Sequence, residues 1–208
     1  MNEVIEAWED IFSKRTQLTQ YPFSDVVTLL HRHKHFLPEK TICLELGCGP
    51  GPNIQLIKDL QYDYYGIEGS LTATIYAKNR HPDIKIITSD FCEGLPFMDH
   101  SFNLVFDRSA ITHNKAQISN IFDEIIRVLV PGGLFIGVDY FSKLCFEYSN
   151  MKQSKAENRY QHALFCNDNE IKELLRKFQI LYLRSKTHKN IVPDNNIVAS
   201  YDFVVQKK

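Results

Sequence analysis

The sequence predicts an α/β domain: a doubly wound, mostly parallel seven-stranded sheet with helices on both faces and an antiparallel C-terminal edge strand. Three observations point there. Short β-rich apolar runs alternate with helical patterns between residues 41 and 138, the order that βαβ units impose. A turn with three glycines separates the first of these runs from its helix, at the position where doubly wound sheets bind ligands. Two further strand-like runs lie close together at the C-terminus, joined by Pro193-Asp194-Asn195-Asn196, a spacing that suits an antiparallel hairpin.

The elements follow in order. Val4, Ile5, Trp8, Ile11 and Phe12 recur at helical spacing over 2–12, and Ser24 or Asp25 caps a second helix that Pro38 stops. Strands are expected at 41–46, 62–67, 84–88, 103–106 and 134–138, with helices at 53–60, 71–79 and 116–130 between them. The Pro131-Gly132-Gly133 sequence reads as a turn before the fifth strand. Residues 141–166 are polar and weakly periodic and read as a cap insertion. A capped helix at 167–178 then precedes strands at 180–184 and 197–205. The expected organisation is one domain: a helical lid over residues 1–40 and a core over 41–208 that carries the cap.

Composition narrows the function classes. An apolar fraction of 44% in 208 residues supports one sizeable core, and a formal net charge of -1 provides no global basic field for nucleic acid. No apolar run approaches the roughly 20 residues of a membrane span, and the acidic N-terminus lacks the pattern of a secretory signal. Five cysteines without a C-x-x-C pair fit a reducing cytoplasm better than a disulfide framework or a zinc site. In His31-Arg32-His33-Lys34-His35 only His31 and His35 share a helix face, so a solvated helix end is expected there and no metal.

The glycine turn carries the most chemistry. Gly47, Gly49 and Gly51 let the backbone take positive φ and admit a ligand where a Cβ would obstruct it. Pro52 opens the next helix, where its missing N–H costs nothing. A dinucleotide fingerprint needs a third glycine at position 52, which is proline, and no Gly-Lys-Ser/Thr of a P-loop follows.

Glu45-Leu46-Gly47-Cys48-Gly49-Pro50-Gly51 resembles the first motif of the class I S-adenosylmethionine-dependent methyltransferases, which share a Rossmann-like sheet. Glu68 at the end of the second strand, Ser89-Asp90-Phe91, Asn103–Asp107 and Leu129-Val130-Pro131-Gly132-Gly133-Leu134 resemble later family motifs in the same order. The resemblance implies S-adenosylmethionine as cofactor, S-adenosylhomocysteine as product, and no metal. It implies a cofactor site of Glu45, Gly47, Gly49, Gly51, Glu68, Gly69, Asp90, Phe91 and Asp107. In that site Glu68 would accept the ribose hydroxyls, Asp90 would take the adenine amino group, Phe91 would pack on the ring, and Asp107 would lie near the methionine end.

Candidate catalytic residues follow the fourth strand: Asp107, Arg108 and His113. A base is needed only when the acceptor must lose a proton, and an imidazole suits that at neutral pH. A capping or surface histidine is the alternative for His113. Arg108 could hold an anionic substrate or pair with Asp107 or Glu45. Asp139 and Tyr140 are further pocket candidates, with core packing the alternative for Tyr140. Trp8, Tyr21 and residues 148–165 are expected to form lids, with Trp8 as a core anchor the alternative.

The leading expectation is a small-molecule methyltransferase, monomer or homodimer, with an O- or N-nucleophile as acceptor and no nucleic-acid or membrane partner. No D/N-P-P-Y/F/W sequence follows the fourth strand. Two alternatives stay open. One is an RNA or protein methyltransferase, which a basic face around Lys143, Lys152, Lys155 and Arg159 would favour. The other is a non-catalytic S-adenosylmethionine-binding module.

Overall fold

The computed structural model describes residues 2–145, 160, 162–192 and 196–208. Helices α1 (Glu3–Ser13) and α2 (Ser24–His33) precede the alternating unit. That unit runs β1 (Ile42–Leu46), α3 (Ile54–Asp59), β2 (Asp63–Glu68), α4 (Leu71–Arg80), β3 (Lys85–Thr88), β4 (Phe102–Arg108), α5 (Ile118–Val128) and β5 (Leu129–Phe141). Helix α6 (Asp168–Leu174) and strands β6 (Phe178–Lys189) and β7 (Ile197–Lys207) complete the chain.

All seven strands form one sheet in the order β3-β2-β1-β4-β5-β7-β6. Strands β1 to β5 pair in parallel, and β7 runs antiparallel to both of its neighbours. The sheet thus ends in antiparallel pairings, with the last strand inserted between β5 and an outermost β6. Each face carries its own core. On one, Ile121, Phe122, Ile125 and Val128 of α5 and Ile171 of α6 pack on Phe135 and Phe203. On the other, Val26, Leu29 and Leu30 of α2 join Ile54 and Ile57 of α3 over Leu104, Phe106 and Ile136.

Several boundaries moved for physical reasons. Helix α2 ends at His33, whose Nδ1 lies 2.9 Å from the Leu29 carbonyl oxygen, so this histidine is buried in place of the solvated end expected there. Strand β5 already starts at Leu129, and the Pro131-Gly132-Gly133 turn becomes an irregular opening with a register shift against β4. Helix α6 stops short of residue 178, because Phe178 pairs with Lys207 and opens β6. Strands β6 and β7 both run past the residues expected, their polar ends held by eleven paired positions from Phe178↔Lys207 to Lys189↔Ile197. Most of the cap insertion (146–159 and 161) and residues 193–195 of the turn lie outside the described residues.

Helix α1 does not join either core. Asn2 caps it by accepting from the Val4 amide, and its inward face (Asn2, Ile5, Trp8, Glu9 and Phe12) repeats at helical spacing. That face lies over the carboxyl ends of β1 to β3, against the start of α4. Helix α2, by contrast, is a core element and differs in that from the lid expected over 1–40.

Candidate active site

Strand ends build the site. At its carboxyl end β1 passes into a loop in which Gly47, Gly49 and Gly51 all have positive φ, at 64°, 54° and 79°. The loop is closed over β2 by the Gly47 and Cys48 amides, which both donate to the Ile67 carbonyl. A Cβ on Gly49 would meet only the Phe12 ring, at 3.6 Å, so the floor there is bare backbone. Gly51 is different: a Cβ there would stand 2.5 Å from Ile54 Cδ1, and the residue does not line the cavity above. Its lack of a side chain lets the loop turn tightly into α3.

Glu68 ends β2. Its Oε2 accepts from the Gly49 amide and its Oε1 from the Ser70 amide, both at 2.7 Å. Burial pushes this carboxyl up, and the amides partly offset that. Asp90 lies two residues beyond β3, where Oδ1 accepts from the Cys92 amide and Oδ2 from Asn2 Nδ2 at 3.0 Å. Phe91 and Gly69 stand beside them.

Two more acids stand at this floor, Glu45 lining the cavity and Asp107 beneath it. Glu45 accepts from Asn53 Nδ2 at 2.7 Å and Tyr64 Oη at 2.6 Å. Asp107 is fully buried, accepts through Oδ1 from the Ala110 and Ile111 amides, and does not line the cavity. It shapes the loop after β4 from beneath, so the structure does not place it in reach of substrate or of the cofactor's methionine end. Burial raises Glu45 to about 8, against its hydrogen bonds, and Asp107 to about 7.

A folded-state pKa above the unfolded one means that the folded chain holds protons which the unfolded chain releases. The stability these acids contribute is complete at about pH 4 and is lost as the pH rises through 7 to 8. The melting temperature of the native chain is expected to fall between pH 5 and pH 9, and that of Glu45→Gln to fall less. Thermal melts at both pH values check this; parallel slopes would contradict it.

Beyond the loop the cavity widens to a second compartment. Arg108 stacks on Phe23, 4.0 Å from the ring centroid, and its Nη2 pairs with Asp139 Oδ2 at 2.9 Å. His113 is buried among rings: Trp8 and Phe141 meet it edge-on and Tyr160 stacks at 5.9 Å. Phe165 and Val198 continue that wall. Opposite stands a charged group of which sequence reasoning found only Asp139. Lys186 Nζ lies 2.6–2.9 Å from Asp139, Asp202 and Asp25, and Ser200 Oγ donates to Asp139. These residues come from α2, β5, β6 and β7, which the sheet alone brings together.

Asp139 has a φ of 58° and Ser109 one of 67°, and Ser109 Oγ donates to the Asp139 carbonyl. Strain of this kind concentrates at functional strand ends. Among the other candidates, Tyr140 is core, edge-on to Phe203 at 4.7 Å. Tyr21 is 81% exposed and does not line this cavity, unlike the lid residue expected. Trp8, Tyr160 and Phe165 line the cavity. Of the basic face considered for a macromolecular acceptor, Lys143 pairs with Glu170, and the other three residues lie outside the described ones.

One continuous cavity of about 500 Å³ joins both compartments, from Asp90 and Glu68 over Gly47 and Gly49 to Arg108, His113 and Lys186. That volume is in the range of cofactor and small-molecule sites. Among the described residues no cluster of acids, histidines and cysteines fits a metal ion, and no helix is long and apolar enough to cross a membrane.

Known proteins agree with this geometry. A methyltransferase-domain family model matches residues 44–137. Sterol 24-C-methyltransferase of Candida albicans is 34% identical over 120 residues, which are 50% of this chain and 31% of that protein. Squalene methyltransferase 1 of Botryococcus braunii is 28% identical over 123 residues, 56% of this chain and 32% of that protein. The chain thus spans about a third of the length of these relatives. An S-adenosylmethionine-dependent methyltransferase structure from Methanosarcina mazei superposes with a TM-score of 0.69 at 19% identity, covering 90% of this chain and 98% of that one. Residues 44–137 thus match a methyltransferase domain, and the chain has the fold of S-adenosylmethionine-dependent methyltransferase structures.

Proposed function

We propose that this chain transfers a methyl group from S-adenosylmethionine to a small-molecule acceptor. The observation that carries this is the two-compartment cavity: acid-lined and glycine-floored at one end, aromatic and charged at the other. The residues fit the cofactor. Both Glu68 oxygens keep acceptor capacity beside their amide bonds, so the carboxylate can take two ribose hydroxyls. Asp90 stands a strand further out for the adenine amino group, Phe91 supports the ring, and bare Gly49 admits the chain that follows. Bound there, the cofactor supplies a methyl group already activated on a sulfonium.

The chain's own residues then align the acceptor, an effect that can supply roughly 7–11 kcal/mol. α1 and the cap residues Tyr160 and Phe165 act as a lid that excludes water. His113, on the cavity wall, takes the acceptor's proton where the nucleophile is a hydroxyl. Arg108, on the cavity wall with its guanidinium stacked on Phe23 and paired with Asp139, offers its charge to the acceptor's polar group. His113→Ala is expected to lower turnover by about 10²–10⁴ with little change in S-adenosylhomocysteine affinity. Full turnover in that variant would remove His113 from the chemistry.

The aromatic wall around His113 favours a second reading, an apolar acceptor such as the squalene and sterols for which the matched relatives are named. Methyl transfer assayed on squalene, a sterol and simple phenols separates the two. Product from the phenols alone supports the first reading, and product from squalene or the sterol alone supports the second.

A further inference from the structure

Helix α1 crosses the mouth of the proposed cofactor site with its whole inward face engaged. Asn2 Nδ2 donates to Asp90 Oδ2 at 3.0 Å and reaches Asn114 Oδ1 at 3.4 Å. Ile5 lies so close that a Cβ on Gly69 would stand 2.7 Å from its Cγ1. Glu9 accepts from Ser70 Oγ at 2.5 Å, from the Thr72 amide at 3.2 Å, and from the Thr72 hydroxyl. Trp8 meets the His113 ring at 5.4 Å, and Phe12 faces Gly49.

The contact at Asp90 is chemically pointed. A carboxamide NH₂ and the exocyclic amine of adenine are both planar N–H donors of similar reach. Oδ1 accepts from the Cys92 amide of its own loop, so the bond that an incoming nucleobase amine can replace is the one Asn2 makes to Oδ2.

We propose that Asn2 is a positioning residue that acts through Asp90. It competes with the adenine amino group for Oδ2, so that cofactor entry displaces the N-terminus of α1. This inference rests on the cofactor reading above. The helix itself survives the exchange, because the oxygen that caps Val4 is a different atom from the nitrogen that contacts Asp90. The Glu9 contacts with Ser70 and Thr72 lie two turns further along and hold the helix while its first turn moves. Trp8, the single tryptophan of the chain, sits between these two ends and reports the movement.

Asn2→Asp tests the competition. It keeps the capping oxygen and the side-chain size, removes the N–H donor and sets a second carboxylate against Asp90. Titration with S-adenosylhomocysteine is expected to show about tenfold to hundredfold tighter binding in this variant, since one hydrogen bond to a charged group no longer has to be broken. In the unsubstituted chain the same titration is expected to change Trp8 emission and raise its quenching by acrylamide. That response should shrink in Asn2→Asp, whose first turn is already released. A merely structural role for Asn2 would weaken binding or leave it unchanged, and either result overturns the proposal. So does a Trp8 signal that ignores the ligand while calorimetry records binding. If the unsubstituted chain fails to bind S-adenosylhomocysteine at all, the cofactor reading itself falls, and the proposal with it.

Discussion

Replacing Glu68 by alanine is expected to weaken S-adenosylhomocysteine binding by about 10²–10⁴-fold. The lost interactions are two hydrogen bonds from ribose hydroxyls to a charged acceptor, each contributing about 1.5–3 kcal/mol. The same carboxylate also holds the Gly49 and Ser70 amides, so the variant loosens the loop and α4's cap together. Circular dichroism and a thermal melt, run beside the calorimetry, separate those effects. A folded variant that loses binding supports the assignment. One that binds within threefold of the native chain removes Glu68 from the site.

The second large effect is expected at Gly47. Its φ of 64° is a conformation that costs an L-residue roughly 1–2 kcal/mol. A Cβ there would also stand 2.2 Å from the Cβ of Ala110. Ala110 cannot retreat cheaply, because its amide is held by the buried Asp107 carboxylate. Gly47→Ala should therefore push the loop after β4 away from the glycine floor, lowering the melting temperature and weakening S-adenosylhomocysteine binding at least about tenfold. Adding Ala110→Gly removes the clash but not the backbone strain, so the double variant should regain part of the loss. A double variant no better than the single one would show that contact between these two loops is not what matters.

The legible part of the fold was the part with strong periodicity. β1 with its glycine loop, α4 and the apolar stripe of α5 lie within a few residues of their expected places, because burial on a fixed face dictates both their pattern and their structure. The acids at the strand ends were legible as well, since Glu68 closes and Asp90 follows strands that pair side by side with β1 between β2 and β4.

What could not be read depends on three-dimensional meeting points. Lys186 and Asp25 are 161 residues apart in the chain and come together only because β6 folds back onto the outer edge of the sheet. A lysine in a polar strand end carries no mark of that. Asp107 shows the other kind of failure. In β4 consecutive side chains point to opposite faces; Arg108 therefore enters the cavity, while Asp107 turns to the core beside Tyr140. The period of two, applied to this pair, would have separated their roles from sequence alone.

Calorimetry of the unsubstituted chain tests the central assignment most directly. S-adenosylhomocysteine and a nicotinamide dinucleotide are titrated separately into the same preparation. The geometry predicts saturable binding of S-adenosylhomocysteine at one site per chain and none of the dinucleotide, whose pyrophosphate finds Pro52 where its fingerprint needs glycine. Binding of the dinucleotide, or no heat from S-adenosylhomocysteine, would contradict it.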